Sequence, residues 1–184
     1  MTISQPPYYH GTSKNSAESI IKNGIIESQL QSRDRGFLGE GFYVTDKKEI
    51  ARRHATTVSS DNPVILEVYI NNNAKILNAG ETFTSGTLKP QSNPSWHDDF
   101  IRWSIGKVED AAVWNYATDK SKETIISTAE KERTPESEYF DRLNWYTEVV
   151  EYAESNGYDI VYWVGGEIII RNYNIVNSFK IIDI

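Results

Sequence analysis

Asp159-Ile160-Val161-Tyr162-Trp163-Val164-Gly165-Gly166-Glu167-Ile168-Ile169-Ile170-Arg171-Asn172 reads as a strand, a two-glycine break and a second strand. Branched and aromatic side chains fill both halves, which suits a pleated backbone. A third strand, Phe179 to Ile184, closes the chain. Working back towards the start, Val64 to Ile70 is another strand rich in branched side chains, with a turn at Asn71-Asn72-Asn73. Phe42 to Thr45 is a short strand, and so is Tyr8-Tyr9, which ends at His10. Between these groups, about Gly80 to Asn156 is mostly helical. Ile101, Ile105, Val108 and Ala112 keep helical spacing, as do Tyr139, Leu143, Tyr146, Val150 and Ala153, and Gly157 stops the last helix. Strands at both ends with helices gathered between them indicate an α+β fold rather than a repeating βαβ fold.

Two further helices are expected near the start. Asn15 followed by Glu18 makes a capping-box pattern, with Ala17, Ile20 and Ile21 on one apolar face and Gly24 as the stop. Asp46 and Glu49 repeat the capping pattern for a second helix, on which Ile50, His54 and Val58 form one stripe at i, i+4 and i+8.

At 184 residues the chain is long enough for one domain with a full core and short for two. The expectation is one domain over 1–184 with a helical insertion at about 80–156. Five Trp and eleven Tyr promise a well-filled core, with Trp96, Trp103, Trp114 and Trp145 in its helical middle. The net charge of −7 argues against a sequence-blind grip on nucleic-acid phosphates. Cysteine is absent, which removes disulfides, thiolate nucleophiles and Cys-based metal sites together. Met1 to Pro7 lacks the basic-then-apolar order of a signal peptide, and Glu167 interrupts the longest apolar run. A cytoplasmic, monomeric protein without membrane contact is the expectation.

Several motif classes are excluded. Gly36, Gly39 and Gly41 have neither dinucleotide-fingerprint nor P-loop spacing, and no G-x-S-x-G is present. His97-Asp98-Asp99 has metal-ligand residue types, but no second cluster completes a site, so an acidic helix start is the simpler reading and no metal is expected. What remains is His10-Gly11-Thr12, then Gly41-Phe42-Tyr43-Val44-Thr45, then Glu167 heading Ile168-Ile169-Ile170.

Those residues meet the needs of a site that cleaves the nicotinamide–ribose bond of NAD. The leaving group is a flat carboxamide ring, and the ribose passes through a state of growing positive charge. A protein can sandwich the ring, satisfy the carboxamide with backbone groups and place a carboxylate beside the sugar. Tyr43 and His54, eleven residues apart, are candidate walls, with stacking worth roughly 0.5–1.5 kcal/mol per contact beyond burial. Gly11 lets a substrate amide approach its N–H and C=O closely. Glu167 supplies the carboxylate.

The three motifs resemble the ADP-ribosyltransferases of the diphtheria-toxin and poly(ADP-ribose)-polymerase branch, marked by His, Tyr and Glu. Tyr9-His10-Gly11-Thr12 matches the first motif. Gly41 to Asp46, with Lys48 and Ala51, matches the second and is nearest the diphtheria-toxin form. Glu167 with Ile168-Ile169-Ile170, Ile175-Val176 and Phe179 to Ile182 matches the third. The resemblance covers roughly residues 8–80 and 157–184. It implies a split β-sandwich of two packed sheets, with NAD as co-substrate and no metal. His10 would bond a hydroxyl of the adenosine ribose, with Thr12 nearby. Gly11 would hold the nicotinamide amide, Tyr43 would stack on the ring, and Glu167 would bind the 2′-hydroxyl and stabilise the oxocarbenium. Arg33 or Arg35 would reach the pyrophosphate.

Two positions depart from the family pattern. His54 stands where most members have a second tyrosine, and Ala51 where the polymerases often carry a serine. Gly165 stands where arginine-modifying relatives have Glu or Gln, which makes arginine a poor acceptor. The expected activity is mono-ADP-ribosylation of a macromolecule, with protein favoured slightly over RNA or DNA by the acidic balance. The rivals are an NAD glycohydrolase, a non-catalytic module binding NAD or ADP-ribose, and, more weakly, an RNA 2′-phosphotransferase. The last needs arginines around the NAD and phosphate, and no such pattern is evident.

Overall fold

The computed structural model describes residues 7–30, 41–58, 62–79, 95–110, 114, 117–132, 144–163 and 167–184. Among them, β1 (Tyr8–Ser13), β3 (Pro63–Ile70) and β7 (Val176–Asp183) form one antiparallel sheet in the order β1-β3-β7. A second sheet has the order β2-β6-β5-β4, from β2 (Phe42–Val44), β4 (Ile76–Asn78), β5 (Ile160–Tyr162) and β6 (Ile168–Ile170). Among the described strands only β4 and β5 pair in parallel. The fold is α+β with two sheets.

The sheets pack on each other through period-two alternation. Val64, Leu66, Val68 and Ile70 of β3 share one buried cluster with Phe42, Val44, Ile160, Ile168 and Ile170. β6 is buried on both faces, because Ile169 between its two neighbours joins a different cluster. That second cluster brings in helix α3 (Ser95–Asp110) through Phe100 and helix α5 (Asn144–Ser155) through Val149, Val150, Tyr152 and Ala153. Helix α1 (Lys14–Asn23) packs Ala17 and Ile20 against the inter-sheet cluster. Helix α2 (Lys48–Val58) lies against β1, and α4 (Asp119–Glu132) beside α3. No described helix is long and apolar enough to cross a membrane.

Several local expectations are corrected. β1 continues through His10 to Ser13, where the Ser13 side chain accepts from the Ser16 N–H and caps α1, so Asn15 lies inside the helix. Gly24 and Gly157 follow α1 and α5 at φ 76° and 70°, as a C-terminal stop requires. The second expected cap is not formed at Asp46: Thr45 Oγ1 accepts from Lys47 N–H, and the Asp46 carboxylate accepts from Tyr162 instead. Among the described side chains of α2 the buried ones are Ala51 and Ala55, while His54 is exposed, Ile50 is half-buried and the Val58 side chain lies outside those described. β4 was not expected, and β5 stops at Tyr162. In the helical middle, Val150 and Ala153 are buried as the periodicity implies, and Trp96 and Trp103 pack against the core. Trp114 is half-buried with Lys122 Nζ 5.3 Å from its ring centre. The side chains of Ile101, Val108, Ala112, Tyr139, Leu143, Trp145 and Tyr146 lie outside those described.

Candidate functional site

Among the described residues, the backbones of the two sheets are joined at one isolated bridge between β1 and β2. Tyr9 and Thr45 exchange both backbone hydrogen bonds, at 2.8 and 2.9 Å, as an isolated antiparallel bridge. A regular ladder would go on to pair the residues beyond, but the bridge stands alone, so β1 and β2 part there. His10 and Gly11 on one side and Tyr43 on the other flank that parting. Side chains take over where the backbone ladder stops.

His10 Nδ1 lies 2.7 Å from the Tyr43 carbonyl oxygen. A carbonyl only accepts, so Nδ1 carries the proton in this bond. The imidazole also lies 4.6 Å from the Phe42 ring, centre to centre. On the other side, His54 Nδ1 is 3.3 Å from the Gly11 carbonyl oxygen. His54 thus meets the site through one ring edge, while Gly11 keeps a second lone pair for another donor.

Gly11 is where α2 comes closest to the sheet. A Cβ built on it would lie 2.0 Å from the Ala51 carbonyl oxygen and 2.7 Å from the Ala55 nitrogen. This contact explains the buried alanine stripe of α2, since only small residues allow helix and strand so near. It also fills the place of Ala51, where a hydroxyl was already missing. Thr12, opposite Val64, is half-buried on the same strand.

Tyr43 is half-buried, sits opposite Ile169 and packs against the helix-covered face of the second sheet. Glu167, also half-buried, immediately precedes β6, and its carbonyl accepts the Trp163 N–H at 2.7 Å. Val44 faces Ile168, so the next residues outward in the register are Thr45 and Glu167. Glu167 therefore continues the line that Tyr9 and Thr45 begin. By alternation it falls on the face of Ile169 and Tyr43 rather than on the inter-sheet face.

The structure thus gathers His10, Gly11, Tyr43, His54 and, by register, Glu167 around one parting of strands. Arg33 and Arg35 lie outside the described residues, as do the glycines before Glu167. Exposed cations nearest in sequence to the site are Arg52 and Arg53, next to His54 on α2. Sequence reasoning missed one polar contact here, the Tyr162 hydroxyl donating to Asp46 Oδ2 at 2.8 Å. Burial first, and that bond second, push the Tyr162 phenol up to about 12. Burial, then the nearby Asp46 charge, also raises Tyr8. The two partners are 116 positions apart, beyond any local pattern. Comparison with protein-family models, curated proteins and solved structures finds no match to the chain.

Proposed function

We propose that this chain is an NAD-dependent mono-ADP-ribosyltransferase on an ADP-ribosyltransferase-like split β-sandwich. One observation carries the reading: His10 and Tyr43 are joined at the parting of the sheets, with Glu167 immediately before the adjacent strand and, by register, on the Tyr43 face. Residues that are far apart in sequence and suited to one reaction share one edge.

The reaction runs as a dissociative substitution at the anomeric carbon. Nicotinamide stacks on Tyr43, with its amide on the Gly11 backbone. The C1′–N bond breaks, and its electron pair leaves with nicotinamide. The Glu167 carboxylate stabilises the oxocarbenium through charge and through the 2′-hydroxyl. His10, held through Nδ1 by the Tyr43 carbonyl, binds a hydroxyl of the adenosine ribose. An acceptor nucleophile then bonds to C1′ and loses its proton. A protein side chain is the proposed acceptor and the cytoplasm the proposed setting, with the chain acting as a monomer.

The test is transfer of label. Protein, NAD labelled in its adenylate phosphate and host lysate should yield a labelled, protease-sensitive band. Label in a nuclease-sensitive band would move the acceptor to nucleic acid. NAD loss without a labelled macromolecule would favour a glycohydrolase, and no NAD loss would sink the enzymatic reading.

A further inference from the structure

β2, β5 and β6 are three residues long. Ladders this short are marginal on their own, yet the proposed chemistry needs the Glu167 carboxylate fixed to within a fraction of an ångström. The backbone bond from Trp163 N–H to the Glu167 carbonyl closes the base of the β5–β6 turn. A second tie crosses it. β6 runs between β2 and β5, and on the inter-sheet face the cross-strand row is Val44, Ile168, Tyr162. Asp46, two residues beyond Val44, accepts the Tyr162 hydroxyl at 2.8 Å. This bond ties the segment just after β2 to β5, the two strands that flank β6, beside the first residue of β6. Glu167 is the residue just before it.

We infer that Asp46 and Tyr162 are positioning residues for Glu167, a side-chain strap that holds the start of β6 between its neighbours. The inference rests on the catalytic reading of Glu167 given above. Tyr162 also packs its ring against the inter-sheet cluster, so the strap is anchored at its aromatic end. The raised phenol remains a donor throughout the neutral range.

Tyr162→Phe keeps the ring and removes only the hydroxyl, while Asp46→Asn keeps an acceptor oxygen and Asp46→Ala does not. In NAD cleavage, Tyr162→Phe and Asp46→Ala should lower kcat about tenfold with KM within about twofold, and Asp46→Asn should stay near wild type. In a Glu167→Ala background, adding Tyr162→Phe should change the residual rate less than about twofold, because the positioned group is gone. Trp163 amide exchange is the readout independent of activity. Tyr162→Phe should speed it at least about tenfold while leaving Leu66 in the other sheet protected. Unchanged Trp163 protection overturns the strap, as does an unchanged kcat in a wild type that turns over, or an undiminished tenfold loss in the Glu167→Ala background. A wild type without turnover overturns the Glu167 chemistry instead, and the exchange result alone then decides the strap.

Discussion

Gly11→Ala adds one methyl group at the tightest contact in the site. The new Cβ would lie 2.0 Å from the Ala51 carbonyl oxygen, where ordinary contact begins at 3.4 Å. The Ala55 nitrogen is also too near, at 2.7 Å. Both neighbours are backbone, so no side-chain rotation relieves the clash. Helix α2 would have to withdraw by about 1.4 Å, loosening the packing of buried Ala51 and Ala55 on β1. Overpacking of a rigid contact costs about 1–3 kcal/mol, and the depth of this overlap puts the variant at the upper end. In a chain of 184 residues, 3 kcal/mol lowers Tm by roughly 6–12 °C. Thermal unfolding followed by far-ultraviolet dichroism, with urea melts at fixed temperature, reads the loss. Because the same withdrawal carries His54 from the Gly11 carbonyl, NAD affinity should fall even at a temperature where the variant is folded. A variant melting within about 1 °C of wild type would refute the argument that close helix approach requires glycine here.

Tyr43→Phe should keep NAD cleavage within a few-fold in steady-state kinetics, whereas Tyr43→Ala should raise KM clearly, since in the proposed reaction the ring face meets the leaving group. Phe100, fully buried with ring centres of Trp96, Trp103 and Tyr152 at 6.1, 6.2 and 5.7 Å, should cost about 3–5 kcal/mol when cut to Ala, read by urea unfolding. Tyr162 predicts an alkaline trend. Its phenol titrates at about 12 in the folded chain against 10.0 ordinarily, so its contribution is complete below pH 10 and is lost as pH rises towards 12. Denaturant midpoints between pH 9 and 11.5 should therefore fall more steeply for wild type than for Tyr162→Phe, and parallel slopes would remove this linkage.

The strands were legible where one residue class dominates. Ile168-Ile169-Ile170 has no polar alternation, as expected of a strand covered on both faces, and the structure covers it with a second sheet on one side and helices on the other. Helix ends were less legible, because Ser13, Asn15 and Asp46 all have capping chemistry. The choice fell to tertiary contacts: Ser13 ends a paired strand, and Asp46 is drawn off by Tyr162. On α2 the sequence placed Ile50, His54 and Val58 on one stripe but did not single out the face that packs on Gly11, which must be small, and alanines carry weak signal. At the site, the order of motifs anticipated that His10 and Tyr43 would meet. It could not anticipate that the meeting uses the Tyr43 carbonyl, or that His54 reaches the Gly11 carbonyl by its edge.

The most direct test of the account is nicotinamide release from NAD by purified protein, wild type against Glu167→Ala, with NAD binding measured on both by calorimetry. On the proposed mechanism the carboxylate acts in the transition state, so the variant should bind NAD within a few-fold of wild type and release nicotinamide roughly 10²–10³ more slowly. Near-native release by Glu167→Ala, with binding intact, would contradict the central claim.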